Sequence, residues 1–365
     1  TLFRSINGME KKLSLLILFG GVSSEHEVSC ASASSIVKNI NREKYDIYTV
    51  GITKQGNWLL TSSPASDIGD GSWEYDKSNK KVHISLDRDR KGILIEEKEG
   101  FENVKIDVVF PVLHGKNGED GTMQGLLQIA GLPFVGADTV SSAESMDKAA
   151  TKAMVEKAGG VNQADAVIVY RKLFVQKRDE EISRITEYFK GRFPLFVKPS
   201  NAGSSVGITK IKHEDEIEEA LIKAFKEDSK VVVEEGITGR EMEISVLGNG
   251  DAKASRIGEI FAANEFYDYN AKYENEASYT EIVKDLTPEK EREMRDTAVR
   301  VYDIMGCRGL ARVDFFLQED GKVIFNEINT LPGFTDISMY PKLWEATGIS
   351  YPDLIDEFIK LALEK

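Results

Sequence analysis

The chain has 365 residues, 41% apolar and 30% charged, with 9 Pro and 30 Gly. That composition excludes disordered and collagen-like chains and leaves room for two or three domains. Its 47 basic and 61 acidic residues sum to −14, a balance that argues against nucleic acid or an anionic membrane as partner and for small molecules.

Residues 1–8 read as an upstream extension, because Met9-Glu10-Lys11-Lys12 leads directly into the apolar run Leu13 to Phe19. That run imitates a signal peptide but is too short to span a bilayer. It is followed by Gly20-Gly21-Val22-Ser23-Ser24-Glu25 and not by a small-x-small site, so it reads as a buried first strand. Strand-like runs at 13–19, 45–52 and 106–113 accompany a helical stretch at 32–40, in which Ala33, Ile36, Val37 and Ile40 share a face. This is the grammar of a parallel α/β sheet with ligand-facing loops after Phe19 and Leu113. Asn57 to Phe101 is polar and reads as irregular. Ser141-Ser-Ala-Glu144 has capping-box spacing and predicts one helix of about four turns, stopped by Gly159-Gly160. A strand ending in Lys198, an acidic helix over 215–225 and a strand over 231–235 follow. Thr287-Pro288-Glu289 then opens a helix with the apolar stripe Met294, Ala298, Val301, Tyr302 and Met305. Boundaries fall near 140 and 235, giving units 1–139, 140–234 and 235–365. Cys30 and Cys307 make no CxxC pair and no zinc pattern, which fits a reducing cytoplasm.

The chemistry concentrates near the end. Arg312 to Leu317 and Lys322 to Asn329 are strand-like runs around Gln318-Glu319-Asp320-Gly321. If Asp320-Gly321 is a two-residue turn, Asp314 faces Glu327 and Arg312 faces Asn329. All four then lie on one face, with Val313, Phe315 and Ile328 on the other. Two facing carboxylates repel unless a cation lies between them, and an all-oxygen set with an amide suits Mg²⁺ sharing its shell with phosphate. The same pattern also suits a solvated acidic hairpin. Lys198 precedes the glycine/serine loop 200–207, which is either a phosphate cradle or a surface turn. Lys148 would by default be a solvated helix lysine. Glu234, at a strand end, is placed to accept from a base amine or ribose hydroxyl or is a surface acid; Glu25 has the same standing, and His114 is structural or functional. The aromatic-rich polar stretch 266–273 reads as a water-excluding lid or as a loop packed on its own domain.

Taken together, LFGGVSSEHEVS (18–29), LHGKNGEDGTMQG (113–125), SMDK (145–148), FVKPSNAGSSVGI (196–208), FYDYNAKY (266–273), ARVDFF (311–316) and FNEINTLPGFTDISMYP (325–341) resemble the D-alanine–D-alanine ligase family. The resemblance implies an ATP-grasp fold of class α/β and α+β: an N-terminal parallel α/β domain, a central lid-bearing subdomain and a C-terminal catalytic subdomain. It implies ATP-driven joining of two D-alanines through a D-alanyl phosphate for peptidoglycan synthesis, by a cytoplasmic homodimer using Mg²⁺, two ions with Mn²⁺ as a substitute. Asp314, Glu327 and Asn329 match the metal ligands, and Lys148 and Lys198 the phosphate-binding lysines. Glu234 and Ile237 match adenine contacts, and Glu241 the ribose contact. Arg312 and the Gly333 amide match the oxyanion hole, and Lys272 a lid lysine. Glu25 matches the holder of the first D-alanine's ammonium, with His114 in the same region; Ser338 matches the second D-alanine site. Glu25, Ser204 and Tyr273 resemble the family's hydrogen-bonded triad. Glu235 departs from the lysine that some members carry. Lys272-Tyr273 and Ser338-Met339 look like the dipeptide-forming branch, set against D-lactate and D-serine branches and a catalytically silent ATP-binding protein.

Overall fold

The computed structural model describes residues 5–6, 9–261, 279–335 and 337–364. A first sheet contains β1 (Leu13–Gly20), β2 (Tyr45–Ile52), β3 (Trp58–Thr61), β4 (Lys80–Ile84), β5 (Gly92–Glu96), β6 (Phe101–Lys105) and β7 (Val108–Val112), in the order β6-β5-β4-β3-β2-β1-β7. β1 runs parallel to β2 and β7, as its uninterrupted apolar sequence predicts for a strand buried on both faces. The rest is antiparallel, so the sheet is parallel only at its centre. The polar stretch 57–101 is not irregular: it supplies three of these strands and the first residue of a fourth. β4 explains why it escapes notice, since Val82 is buried between exposed Lys81 and His83; a lone buried side chain in a five-residue strand leaves almost no periodic signal.

The expected single helix after Ser141 is two, α1 (Thr139–Met146) and α2 (Lys148–Ala158). Asp138 caps the first by accepting from Ser141 N, and Asp147 caps the second by accepting from Ala149 N and Ala150 N. Ser141 therefore closes no capping box; its hydroxyl donates to the Gly306 carbonyl instead, at 2.8 Å. The break puts Lys148 at the first turn of a new helix.

A second, antiparallel sheet has the order β8 (Ala166–Tyr170), β11 (Lys230–Glu235), β9 (Leu195–Pro199), β10 (Thr209–Ile211). A third, also antiparallel, has the order β14 (Tyr279–Ile282), β13 (Lys253–Phe261), β12 (Arg240–Gly248), β15 (Gly309–Leu317), β16 (Val323–Asn329). Helix α3 (Pro288–Ile304) starts at Thr287, whose hydroxyl accepts from Lys290 N at 3.2 Å, and its predicted stripe is buried against the third sheet. Helix α4 (Tyr351–Leu363) returns to the first sheet, where Phe358 meets Phe110 edge-on at 5.9 Å between ring centres.

The β15/β16 hairpin pairs Asp314 with Glu327 and Arg312 with Asn329 as predicted, by a different route. Gln318 N bonds Lys322 O at 3.0 Å, and Gly321 adopts φ 83°. The loop is thus three residues with a left-handed glycine, not a two-residue turn. Near the turn Leu317 pairs with Val323 and Phe315 with Phe325; the register then slips by one before Asp314 pairs with Glu327. Asn326 is the extra residue of a β-bulge. The longer loop moves the pairing by one residue and the bulge moves it back.

Candidate active site

Two adjoining cavities lie between the sheets. A chamber of about 110 Å³ is lined by Glu25, His114, Glu119, Ser204, Arg312 and Gly333, among others. A larger one of about 340 Å³ is lined by Phe196, Glu234, Ile237, Glu241 and Asp314, among others. Lys148, Lys198 and Glu327 line both. Every described residue singled out from the sequence therefore faces one cavity or the other except Ser338, which stands beside Gly333: a Cβ there would lie 3.2 Å from Ser338 Oγ. The Ser338 hydroxyl accepts from Thr335 N at 2.9 Å. Lys272 and Tyr273 lie outside the described residues.

The wall between the cavities is the Asp314/Glu327 pair. Arg312 grips Asp314 with both arms, Nε to Oδ1 at 2.8 Å and Nη2 to Oδ2 at 2.7 Å, and its Nε lies 3.2 Å from Glu243 Oε1. Burial disfavours the guanidinium charge, but Asp314 and Glu243 outweigh it and hold the group protonated. Asn329 Nδ2 donates to Asp314 Oδ2 at 3.1 Å, and Lys148 Nζ lies 3.7 Å from Glu327 Oε2 while donating to the Ala202 carbonyl at 2.9 Å. Arg312 and Lys148 thus supply the countercharge that two facing carboxylates require. Among the described residues no group of three or more His, Cys, Asp or Glu could hold a metal. The set here is two carboxylates and one amide, an oxygen donor set that suits Mg²⁺ when phosphate and water complete its shell. Those three side chains fit the ion in kind.

In the smaller chamber, Glu25 follows β1 and accepts from Ser204 Oγ at 2.5 Å, joining the first sheet to the glycine/serine loop. Gly115 is required beside it. Its φ is +67°, and a Cβ would sit 2.3 Å from Glu25 Oε2. His114 is buried, and burial lowers its pKa, so the ring is neutral. Its Nδ1 meets the Leu331 carbonyl at 2.9 Å, so that nitrogen carries the hydrogen; Nε2 then accepts from Ser32 Oγ at 3.1 Å, and Ser32 Oγ in turn accepts from Phe334 N at 3.1 Å. With both nitrogens engaged, His114 braces the 331–334 segment that presents the Gly333 amide.

Glu119 lies within the 113–125 motif, where the sequence alone gives no sign of its role. It accepts from Gly115 N at 2.6 Å, and burial, reinforced by the Glu25 charge, pushes its carboxyl up to about 8. At neutral pH it is a protonated acid. Asn326, Glu243 and Lys152 were also missed: the bulge, the neighbouring strand and the helix break that bring them to the cavities have no local sequence signature.

An α/β domain delivering an acid and a histidine to a lysine-lined cleft between two antiparallel sheets is the arrangement of the ATP-grasp class. Sequence profiles described as D-ala D-ala ligase N-terminus and D-ala D-ala ligase C-terminus match residues 14–137 and 154–360. The chain belongs to the D-alanine–D-alanine ligase family. It is 48% identical over 369 residues to a D-alanine–D-alanine ligase of Acetivibrio thermocellus, covering 98% of this chain and 97% of that one. It is 49% identical to D-alanine–D-alanine ligase B of Clostridium tetani, covering 97% and 94%. Among solved structures it is similar to a D-Ala:D-Ser ligase of Enterococcus faecalis (TM-score 0.87, 38% identity, 96% of this chain and 100% of that one). It is also similar to the D-alanine–D-alanine ligase of Coxiella burnetii (TM-score 0.83, 36% identity, 97% and 94%).

Proposed function

We propose that the chain joins two D-alanines, driven by ATP, with the site residues acting as follows. The larger cavity takes the nucleotide, with adenine against Glu234 and Ile237, ribose at Glu241 and phosphates on Lys148 and Lys198. Glu25, fixed by Ser204, holds the ammonium of the first D-alanine. The carboxylate oxygen of that D-alanine attacks the γ-phosphorus, the phosphoryl group moves to it and ADP leaves. The second D-alanine, held at Ser338, releases an ammonium proton to solvent, and its amine attacks the acyl carbonyl. Arg312 and the Gly333 amide donate to the oxyanion that forms, and phosphate departs as the peptide bond closes. Lys272 is assigned to the transferring phosphate and Tyr273 to the triad with Glu25 and Ser204; both lie outside the described residues. Asp314, Glu327 and Asn329 would hold magnesium, which would supply countercharge for the nucleotide's phosphates. Two ions with Mn²⁺ as a substitute, three units bounded near 140 and 235, a homodimer and a cytoplasmic setting complete the proposal; no helix among the described residues is long and apolar enough to cross a membrane.

One observation carries the reading: Asp314 faces the larger cavity, Asn329 the smaller, and Glu327 both, which supports a metal set at the junction of the nucleotide and amino-acid sites. The test is product mass after incubation with ATP, Mg²⁺ and D-alanine, alone and with D-lactate or D-serine. D-alanyl-D-alanine is expected throughout. D-alanyl-D-serine as the main product would favour a second reading, raised by the likeness to the Enterococcus faecalis enzyme. ATP binding without phosphate release would refute both.

A further inference from the structure

Glu234, the penultimate residue of β11, is buried, 6% exposed, with its carboxylate between two ammonium groups. Lys198 reaches one carboxylate oxygen, and Lys152 Nζ lies 3.0 Å from the other. Lys152 also donates to the Ala164 carbonyl at 3.3 Å. Glu234 lies directly across from Phe196, so Lys198 reaches it along the diagonal, a span a long side chain covers. Burial pushes the Glu234 carboxyl up, but Lys198 and Lys152 outweigh it and hold the group at about 2. Lys152 follows Lys148 by one turn on the same face of α2, and both line both cavities. Their partners differ: Lys148 is near Glu327, and Lys152 is near Glu234.

The cluster has two positive charges and one negative. A phosphate oxygen can draw Lys198 away only if the buried carboxylate keeps another counter-charge, because an ionised carboxylate without one is strongly disfavoured in such a place. We infer that Lys152 is a positioning residue for nucleotide binding: by neutralising Glu234 it frees Lys198 to leave that carboxylate for the nucleotide's phosphate oxygens. Without Lys152, Lys198 and Glu234 form a closed one-to-one pair, and phosphate must compete with a buried acid for the same ammonium. The inference rests on the nucleotide-binding role proposed above for Lys198.

The test is a double-mutant cycle of Lys152→Met and Glu234→Gln, read as the ATP Kd by calorimetry and as KM and kcat for ATP in phosphate release at saturating D-alanine. Lys152→Met is expected to raise Kd and KM by about tenfold or more with kcat within about threefold, the signature of lost uniform binding. In the Glu234→Gln background, where no buried charge needs a partner, the same change should cost less than about twofold. Lys152→Arg should restore affinity. Should Lys152→Met not fold, Lys152→Gln, which can still donate to the Ala164 carbonyl, carries the same expectation. An equal penalty in both backgrounds, or none in either, overturns the inference. A wild-type protein that binds ATP but makes no dipeptide would sink the proposed activity while leaving the Kd cycle decisive.

Discussion

Replacing Arg312 with Met removes two things at once, and the structure separates them. The side chain is 15% exposed and grips Asp314 at 2.8 and 2.7 Å while facing Glu243 at 3.2 Å. Both acids are buried, at 9% and 5% exposure. Breaking a buried pair by removing one partner costs about 3–5 kcal/mol. Losing an oxyanion donor costs about 2.7–4 kcal/mol in the barrier, on the order of 10²–10³ in kcat. Arg312→Met should therefore show both losses. Arg312→Lys keeps the charge but not the planar fork, so it should recover most of the stability while kcat stays down by on the order of 10²-fold. Urea unfolding and kcat under saturating substrates, measured on both variants, resolve the two. Wild-type kcat in Arg312→Lys would refute the oxyanion assignment, and unchanged stability in Arg312→Met would refute the accounting of buried charge.

Asp314→Asn combined with Glu327→Gln should cut Mg²⁺-dependent phosphate release by on the order of 10³-fold or more with the far-ultraviolet circular dichroism retained; undiminished turnover removes the metal assignment. Glu119, raised from an ordinary 4.5 to about 8, contributes stability that is complete below about pH 4.5 and is lost as pH rises through 8. Glu119→Gln should flatten that part of the melting-temperature profile between pH 5 and 8.5, in units set by the scan itself, and a constant offset from wild type would show that Glu119 is ionised in the fold. Phe358→Ala should cost about 3–5 kcal/mol and expose the first sheet, read by urea unfolding; a loss below about 1 kcal/mol would mean that α4 is not part of that core.

The cavity-lining residues are more legible in the sequence than the strands around them, for reasons that differ by residue. β1 and the α3 stripe were plain because long apolar periodicity survives any tertiary context. The Asp314/Glu327 pairing was anticipated although the turn was misread, because the bulge at Asn326 offset the longer loop. That agreement is partly accidental: turn length and bulge are set by backbone geometry that neighbouring side chains barely encode. The helix break at Asp147 was missed because Asp147 caps Lys148–Ala158 within a stretch of good helix formers. Glu119 and Lys152 gave no signal because their roles depend on burial beside Glu25 and Glu234, partners remote in sequence.

The seating of α4 on the first sheet sets a schedule for the newborn chain. Phe110 emerges from the ribosome 248 positions before Phe358, which at about 5–20 residues per second is roughly 12–50 s of waiting. Throughout that interval only the part of this face that helix His26–Asn39 packs against is covered, so the remaining apolar surface is open to chaperones, or to other unfinished copies, until translation reaches α4.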